Sequence, residues 1–285
     1  MTAMRLGFSG WAMRELPVDR QVAIVREAGY ASMALVSGPT FGLDAVMVDA
    51  AERTRIRRLL DDAGLELSAV CGHATLLDPD PEVVRANAAR IRATVDLAAD
   101  LAGPEGPPCV VSMAYGTPET YERDRVAIAE RFGELARYAE RRGVVIALEP
   151  HTGQAFDQPE KVVWLMDEIG SPSYRANLDN SHFECMGRDL DEYLPLLIPY
   201  SVHTELKDQR GRYPDHEYLV PGEGDFDYAR YLTAMDRAGY TGCVTVEISV
   251  MVQRRPGYDP AEVARRSFSV LVAAERASGV ALVHR

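Results

Sequence analysis

The run V-V-I-A-L-E-P-H, Val144 to His151, sets five apolar residues directly before a carboxylate, a proline and an imidazole. A short unbroken apolar run of this kind reads as a strand covered on both faces, as in a parallel sheet. A charge at its end is costly unless it is paired or put to use. Seven further runs resemble it: LGFSG (6–10), ASMALVSG (31–38), LELSAVCGH (65–73), CVVSMAYG (109–116), RANLDNSHF (175–183), SVHTELKD (201–208) and GCVTVEIS (242–249). Amphipathic helical patterns lie between and after them, at about 17–28, 49–63, 82–102, 119–142, 159–169, 189–197, 225–238 and 260–277, several closed by a glycine. Eight strands, each followed by a helix and with no Gly/Pro/Ser-rich linker, predict an α/β fold: a single (β/α)8 TIM barrel forming one domain over residues 1–285. A doubly wound open sheet is disfavoured, because no G-x-G-x-x-G follows the first strand.

The 285 residues are 47% hydrophobic, enough for a large core. A net charge of −12 argues against a nucleic-acid partner and fits an enzyme of neutral molecules. The longest apolar runs fall far short of the ~18 residues of a membrane span, and the start lacks a signal-peptide pattern, so no membrane partner and a cytoplasmic location are expected. The cysteines Cys71, Cys109, Cys185 and Cys243 lack C-x-x-C spacing and read as core thiols in a reducing compartment.

A barrel keeps its chemistry where strands end, at the C-terminal rim. The fifth strand ends in Glu149 and His151, and the sixth carries Asp179 and continues to His182. His203, Glu205 and Lys207 alternate along the seventh, and Glu247 and Ser249 end the eighth. Residues two apart share a face, so carboxylates converge from four consecutive strands, while Leu148, Leu178, Leu206, Val246 and Ile248 fill the other face. A divalent cation is the simplest remedy for their repulsion. Taken singly, Asp179 in N-L-D-N-S reads as a turn residue, Lys207-Asp208 as a polar strand cap or ion pair, and His73 and His182 as hydrogen-bonded structural histidines. Phe8, Trp11, Tyr115 and Phe183 lie near the rim and are candidate walls for a sugar ring, with Trp11 best placed.

The order of ALEPH, NLDNSH, H-x-x-x-KD, PGEGDFDY and VTVEIS resembles the xylose-isomerase-like barrel superfamily, including D-tagatose/D-psicose 3-epimerases, inosose isomerases and dehydratases and, more distantly, metal-dependent AP endonucleases. The resemblance covers nearly the whole chain and is strongest from 144 to 250. It implies Glu149, Asp179 and Glu247 as metal ligands, Glu149 and Glu247 as the acid/base pair, and His182 as a substrate contact. Strand seven in such proteins usually reads H-x-H, and here Glu205 replaces the second histidine. Either Glu205 completes an all-oxygen site, or His203, one pleat further back, reaches the ion; Glu205 is the expected ligand. Four carboxylates would favour Mn²⁺, with Mg²⁺ or Co²⁺ as alternatives, over softer Zn²⁺, and no organic cofactor is expected. The arginine that epimerases often place before the P-G-x-G turn is absent, which weakens a specific assignment to ketohexose 3-epimerisation.

The resemblance implies a metal-dependent isomerase or epimerase of a sugar or cyclitol, acting by proton abstraction next to a carbonyl through an enediolate. His151 is a candidate second base or leaving-group acid for the route in which the intermediate expels a substituent, and Trp11, His73, His182, His203 and Lys207 are candidate substrate contacts. The alternatives are a lyase of the same fold, dehydrating an inosose-like ketone or eliminating from a 3-oxo-glycoside (C-glycoside cleavage included), and a barrel that binds sugar without turnover. The expected partner is a small carbohydrate or cyclitol, and barrels of this kind often form homo-oligomers. Specificity is expected in rim loops 37–48, 73–81 and 209–221.

Overall fold

The barrel closes where β1 (Met4–Ser9) pairs with the last of seven following parallel strands, in a computed structural model that describes residues 3–285. In chain order the first six of these are β2 (Ser32–Val36), β3 (Glu66–Cys71), β4 (Cys109–Ser112), β5 (Ile146–Leu148), β6 (Tyr174–Asp179) and β7 (Ser201–Leu206). A short antiparallel hairpin, β8 (Asp208–Arg210) and β9 (Glu217–Leu219), then precedes β10 (Cys243–Val246), which pairs with both β7 and β1 and shuts the ring. A terminal strand, β11 (Leu282–Val283), adds to β1 from outside.

The intervening helices follow the sequence pattern to within three residues, because their ends are chemically marked. At the helix Ala50–Ala63, the Asp49 side chain accepts the Glu52 N–H at 2.8 Å, and Gly64 ends it at φ 60°, where a side chain would be strained. Ile56, Leu60 and Ala63, spaced four and three apart, turn one face of that helix into the core.

The core has two unequal parts. Between barrel and helices lies a large apolar layer that takes Leu6, Phe8, Leu35, Leu148, Leu178, Leu206, Val246 and Ile248, as expected of the outward strand positions. Inside the barrel, Ala34, Val36, Ala69, Cys71, Cys109, Val111 and Ala147 form a small apolar cluster on the side of β2 to β5. The other half of the interior, from β6, β7 and β10, is polar: Asn177, Asp179, His203, Glu205, Thr245 and Glu247 are all buried. This lopsided filling decides where the chemistry sits.

Several strands are shorter than the runs read for them, β4 ending at Ser112, β5 spanning only Ile146–Leu148 and β7 ending at Leu206, and one run changes type. The run 175–183 stops being a strand at Asp179, whose carboxylate accepts the Ser181 N–H at 2.9 Å and starts the helix Asn180–Cys185. His182 therefore reaches the site over one helical turn, not along a strand face. The four cysteines are buried and unpaired. Among the described residues no helix is long and apolar enough to cross a membrane.

Candidate metal centre and active site

Glu149 and Glu247 each follow the last residue of a strand, and each still extends the ladder by one bond, Glu149 N–H to Ser112 O and Glu247 N–H to Leu206 O, both 2.9 Å. Asp179 lies opposite Glu205 in the β6–β7 register, and Glu205 opposite Thr245 in β10. One oxygen from each of Glu149, Asp179, Glu205 and Glu247 lies within 4.8 Å of the others, and all four residues are buried. The Lys207 ammonium enters the same space, touching Asp179 Oδ2 and lying 3.1 Å from Glu247 Oε1 and 3.8 Å from Glu149 Oε1.

One cation against four carboxylates leaves the cluster strongly negative, and its members respond unequally. Burial, then the charges of Glu247 and Glu149, push Glu205 well above the usual carboxylate range. Burial raises Glu247 to about 7 against the pull of Lys207. For Glu149 burial acts the same way but is outweighed by His151, His182 and Lys207, which hold it well below that range. Glu205 Oε1 is buried with no hydrogen-bond partner. Four oxygen donors, an orphaned carboxylate oxygen and excess negative charge fit a hard divalent cation.

Imidazoles surround the carboxylates. His151 Nε2 is 2.9 Å from Glu149 Oε1, and its ring lies 4.0 Å from that of His182. His182 Nε2 sits 3.6 Å from the same Glu149 oxygen, while its Nδ1 is 2.8 Å from Tyr218 Oη and 3.2 Å from Thr152 Oγ1. Burial lowers His182 to about 4, so its neutral form faces the site. His73 Nε2 is 3.6 Å from Glu149 Oε2, and its ring packs edge-on against Trp11. These groups line a cavity of about 210 Å³ at the C-terminal mouth. A larger cavity, about 560 Å³ and lined by Arg5, Glu66 and Glu105, lies at the N-terminal mouth, the end of a barrel that serves stability, not catalysis.

The structure thus brings Trp11, His73, Glu149, His151, Asp179, His182, Glu205, Lys207 and Glu247 together. His203 it does not: that ring is one layer deeper, with Nδ1 3.0 Å from Asn177 Oδ1 and Nε2 3.0 Å from Thr245 Oγ1. Of the two strand-seven candidates, Glu205 is the one in the cluster. Phe8 and Phe183 point the other way, against Tyr30 and Tyr193, and Tyr115 does not line the cavity; Trp11 alone of the four aromatic candidates does. Lys207 and Asp208 do not pair, because consecutive residues face opposite ways: Asp208 accepts amides of the glycine-rich loop. Sequence reasoning missed Met113, Thr152, His216 and Tyr218 as lining residues. His216 and Tyr218, two apart in a loop singled out for specificity, carried a signal in their alternation.

The chain matches the xylose isomerase-like TIM barrel family over residues 22–273. Among curated proteins it is similar to an inosose dehydratase of Clostridium perfringens, 24% identical over 141 residues (44% of this chain, 48% of the relative). A second, from Yersinia enterocolitica, is 26% identical over 150 residues (47% and 49%). The chain spans about half the length of the curated relatives it matches. Among solved structures it is similar to a 3-keto-D-glucoside 4-epimerase of E. coli, with TM-score 0.75, 17% identity and coverage of 95% of this chain and 99% of the other. An L-ribulose 3-epimerase gives TM-score 0.74, 18% identity and 97% coverage of both chains. At these identities the structural likeness is one of fold.

Proposed function

Because the chain belongs to the xylose isomerase-like TIM barrel family, we propose that it is a divalent-metal-dependent isomerase or epimerase of a sugar or cyclitol. The observation that carries this reading is the convergence of four buried carboxylates, one lysine and two close-packed histidines at the C-terminal mouth. Glu149, Asp179, Glu205 and Glu247 are the residues that would hold the cation, with Mn²⁺ favoured by an all-oxygen donor set. Bound there, it would supply Lewis-acid polarisation of a carbonyl and its neighbouring hydroxyl.

The chain's own groups then divide the work. Glu149, kept ionised by its imidazole neighbours, takes the proton from the carbon beside the carbonyl, and Glu247 returns one. Lys207 meets the negative charge that develops on the substrate oxygen. His182, fixed by Tyr218 and Thr152, and His73, backed by Trp11, orient the hydroxyls. The cavity is smaller than the roughly 300–1,000 Å³ of drug-sized ligand sites, which suits a single small ring.

The inosose dehydratase relatives and the His151–Glu149 hydrogen bond support a second reading, a lyase. There His151 would protonate a leaving group after the same proton abstraction. Solvent-deuterium incorporation into ketoses, inososes and 3-oxo-glucosides, followed by proton NMR with Mn²⁺ and then with chelator, tests both. Metal-dependent exchange beside the carbonyl, abolished in Glu149→Gln, is expected, and the product separates isomerase from lyase. Exchange that persists in chelator or in Glu149→Gln would overturn the assignment.

A further inference from the structure

Beneath the carboxylates runs a buried hydrogen-bonded chain that the chemistry above leaves unused. Asn177 Nδ2 donates to Glu205 Oε2 at 2.6 Å, Asn177 Oδ1 lies 3.0 Å from His203 Nδ1, and His203 Nε2 lies 3.0 Å from Thr245 Oγ1. Asn177, His203, Thr245 and Glu205 are all fully or almost fully buried. Each bond settles the next. The Asn177 amide turns its NH₂ toward Glu205 and its carbonyl toward His203. His203 then carries its proton on Nδ1, and its bare Nε2 accepts the Thr245 hydroxyl. The other neighbour of Nε2, Ser68 Oγ at 3.2 Å, spends its hydrogen on Met33 O.

The consequence falls on Glu205. One oxygen is held, and the other, Oε1, is the buried oxygen with no partner. We propose that Asn177 is a positioning residue for the strand-seven ligand: it pins Glu205 Oε2 so that Oε1 faces the cation, while His203 and Thr245 take up the other end of the amide. A glutamate has more torsional freedom than the histidine it replaces, so it needs such a clamp among repelling carboxylates. The inference rests on the metal-centre reading above.

The test is Mn²⁺ binding by isothermal titration calorimetry to chelator-treated protein, with circular dichroism checking the fold. Asn177→Leu keeps the number and branching of the side-chain heavy atoms and removes both hydrogen bonds, and is expected to raise the Mn²⁺ Kd by about 10- to 100-fold. In a Glu205→Ala background the same substitution is expected to change Kd by no more than about twofold. An unchanged Kd in Asn177→Leu, or an equal loss in both backgrounds, would overturn the inference. If Asn177→Leu does not fold, Asn177→Ser is judged by the same two criteria. Wild-type protein that binds no Mn²⁺ would overturn the metal-centre reading itself, an outcome distinct from wild type that binds and a variant that binds equally well.

Discussion

The Lys207 ammonium lies 3.1 Å from Glu247 Oε1 and also touches Asp179 Oδ2. Among the described residues, no other lysine or arginine pairs with any of the four clustered carboxylates. In metal-free protein it is thus the main compensation for their charge, and removing one partner of a buried pair costs about 3–5 kcal/mol. Lys207→Met is therefore expected to lower the thermal midpoint in chelator by roughly 10 °C. Added Mn²⁺ should raise the variant's midpoint more than the wild type's. Equal midpoints in chelator would show that Lys207 does not balance the cluster.

How far the sequence reached follows from period and chemistry. Inward strand positions repeat every two residues, so Glu149, Glu205, Lys207 and Glu247 were assigned to one rim from their spacing, and the structure brings them there. His203 obeyed the same period yet landed a layer deeper, because alternation fixes a side chain's face but not its depth along the barrel axis. His182 came to the site for a different reason from the one read: Asp179 caps a helix, and a spacing of three on a helix does what two does on a strand. Thr152 was missed because it comes from a turn, where no period exists to place it, and Tyr218 because the hairpin strand that carries it, β9, lies outside the eight barrel strands.

A slope in stability with pH is expected from Glu184. It is half-buried behind the rim between Tyr193 Oη at 3.1 Å and Gln209 Nε2 at 2.6 Å, and partial desolvation raises its pKa from 4.5 to about 7. A raised carboxyl favours the folded state below its unfolded pKa, and that contribution is lost as pH climbs through the folded value. Relative to wild type, Glu184→Gln should thus gain stability between about pH 5 and 8, by up to about 3 kcal/mol. Urea unfolding at several pH values reads this directly; parallel curves for the two proteins would contradict it.

Asp208 organises the loop that carries the P-G-E-G-D motif. Its carboxylate accepts the amides of Gln209, Gly222, Gly224 and Phe226 at 2.9, 2.7, 3.1 and 3.2 Å. Asp208→Ala strands these donors and is expected to cost about 3 kcal/mol or more. Gly224 has no room for a side chain, since a Cβ there would lie 2.3 Å from Asp208 Oδ1 and 2.5 Å from Gln209 O. Gly224→Ala should therefore destabilise the chain as well, and in an Asp208→Ala background the loss should shrink but persist, because the clash with the backbone oxygen of Gln209 remains. Fully additive losses in chemical denaturation would mean that the carboxylate and the glycine act independently.

The last expectation concerns which metal the centre selects. With Glu205 the proposed donor set is four carboxylates, whereas an imidazole at that position would remove one negative charge and add a softer nitrogen donor. Glu205→His should therefore shift preference from Mn²⁺ toward Zn²⁺, and an order of magnitude in the ratio of dissociation constants corresponds to about 1.4 kcal/mol. The new imidazole would also face Asn177 Nδ2, which now donates to Glu205 Oε2, so the amide has to turn over to accept from it. That reversal would set Nδ2 against His203 Nδ1 and leave the buried ring in its other tautomer, now donating from Nε2. Competition titrations of Mn²⁺ against Zn²⁺ on both proteins measure the shift, and the tautomer of His203 is readable from its nitrogen chemical shifts. An unchanged metal ratio would remove Glu205 from the donor set and reopen the seventh strand's contribution to the site.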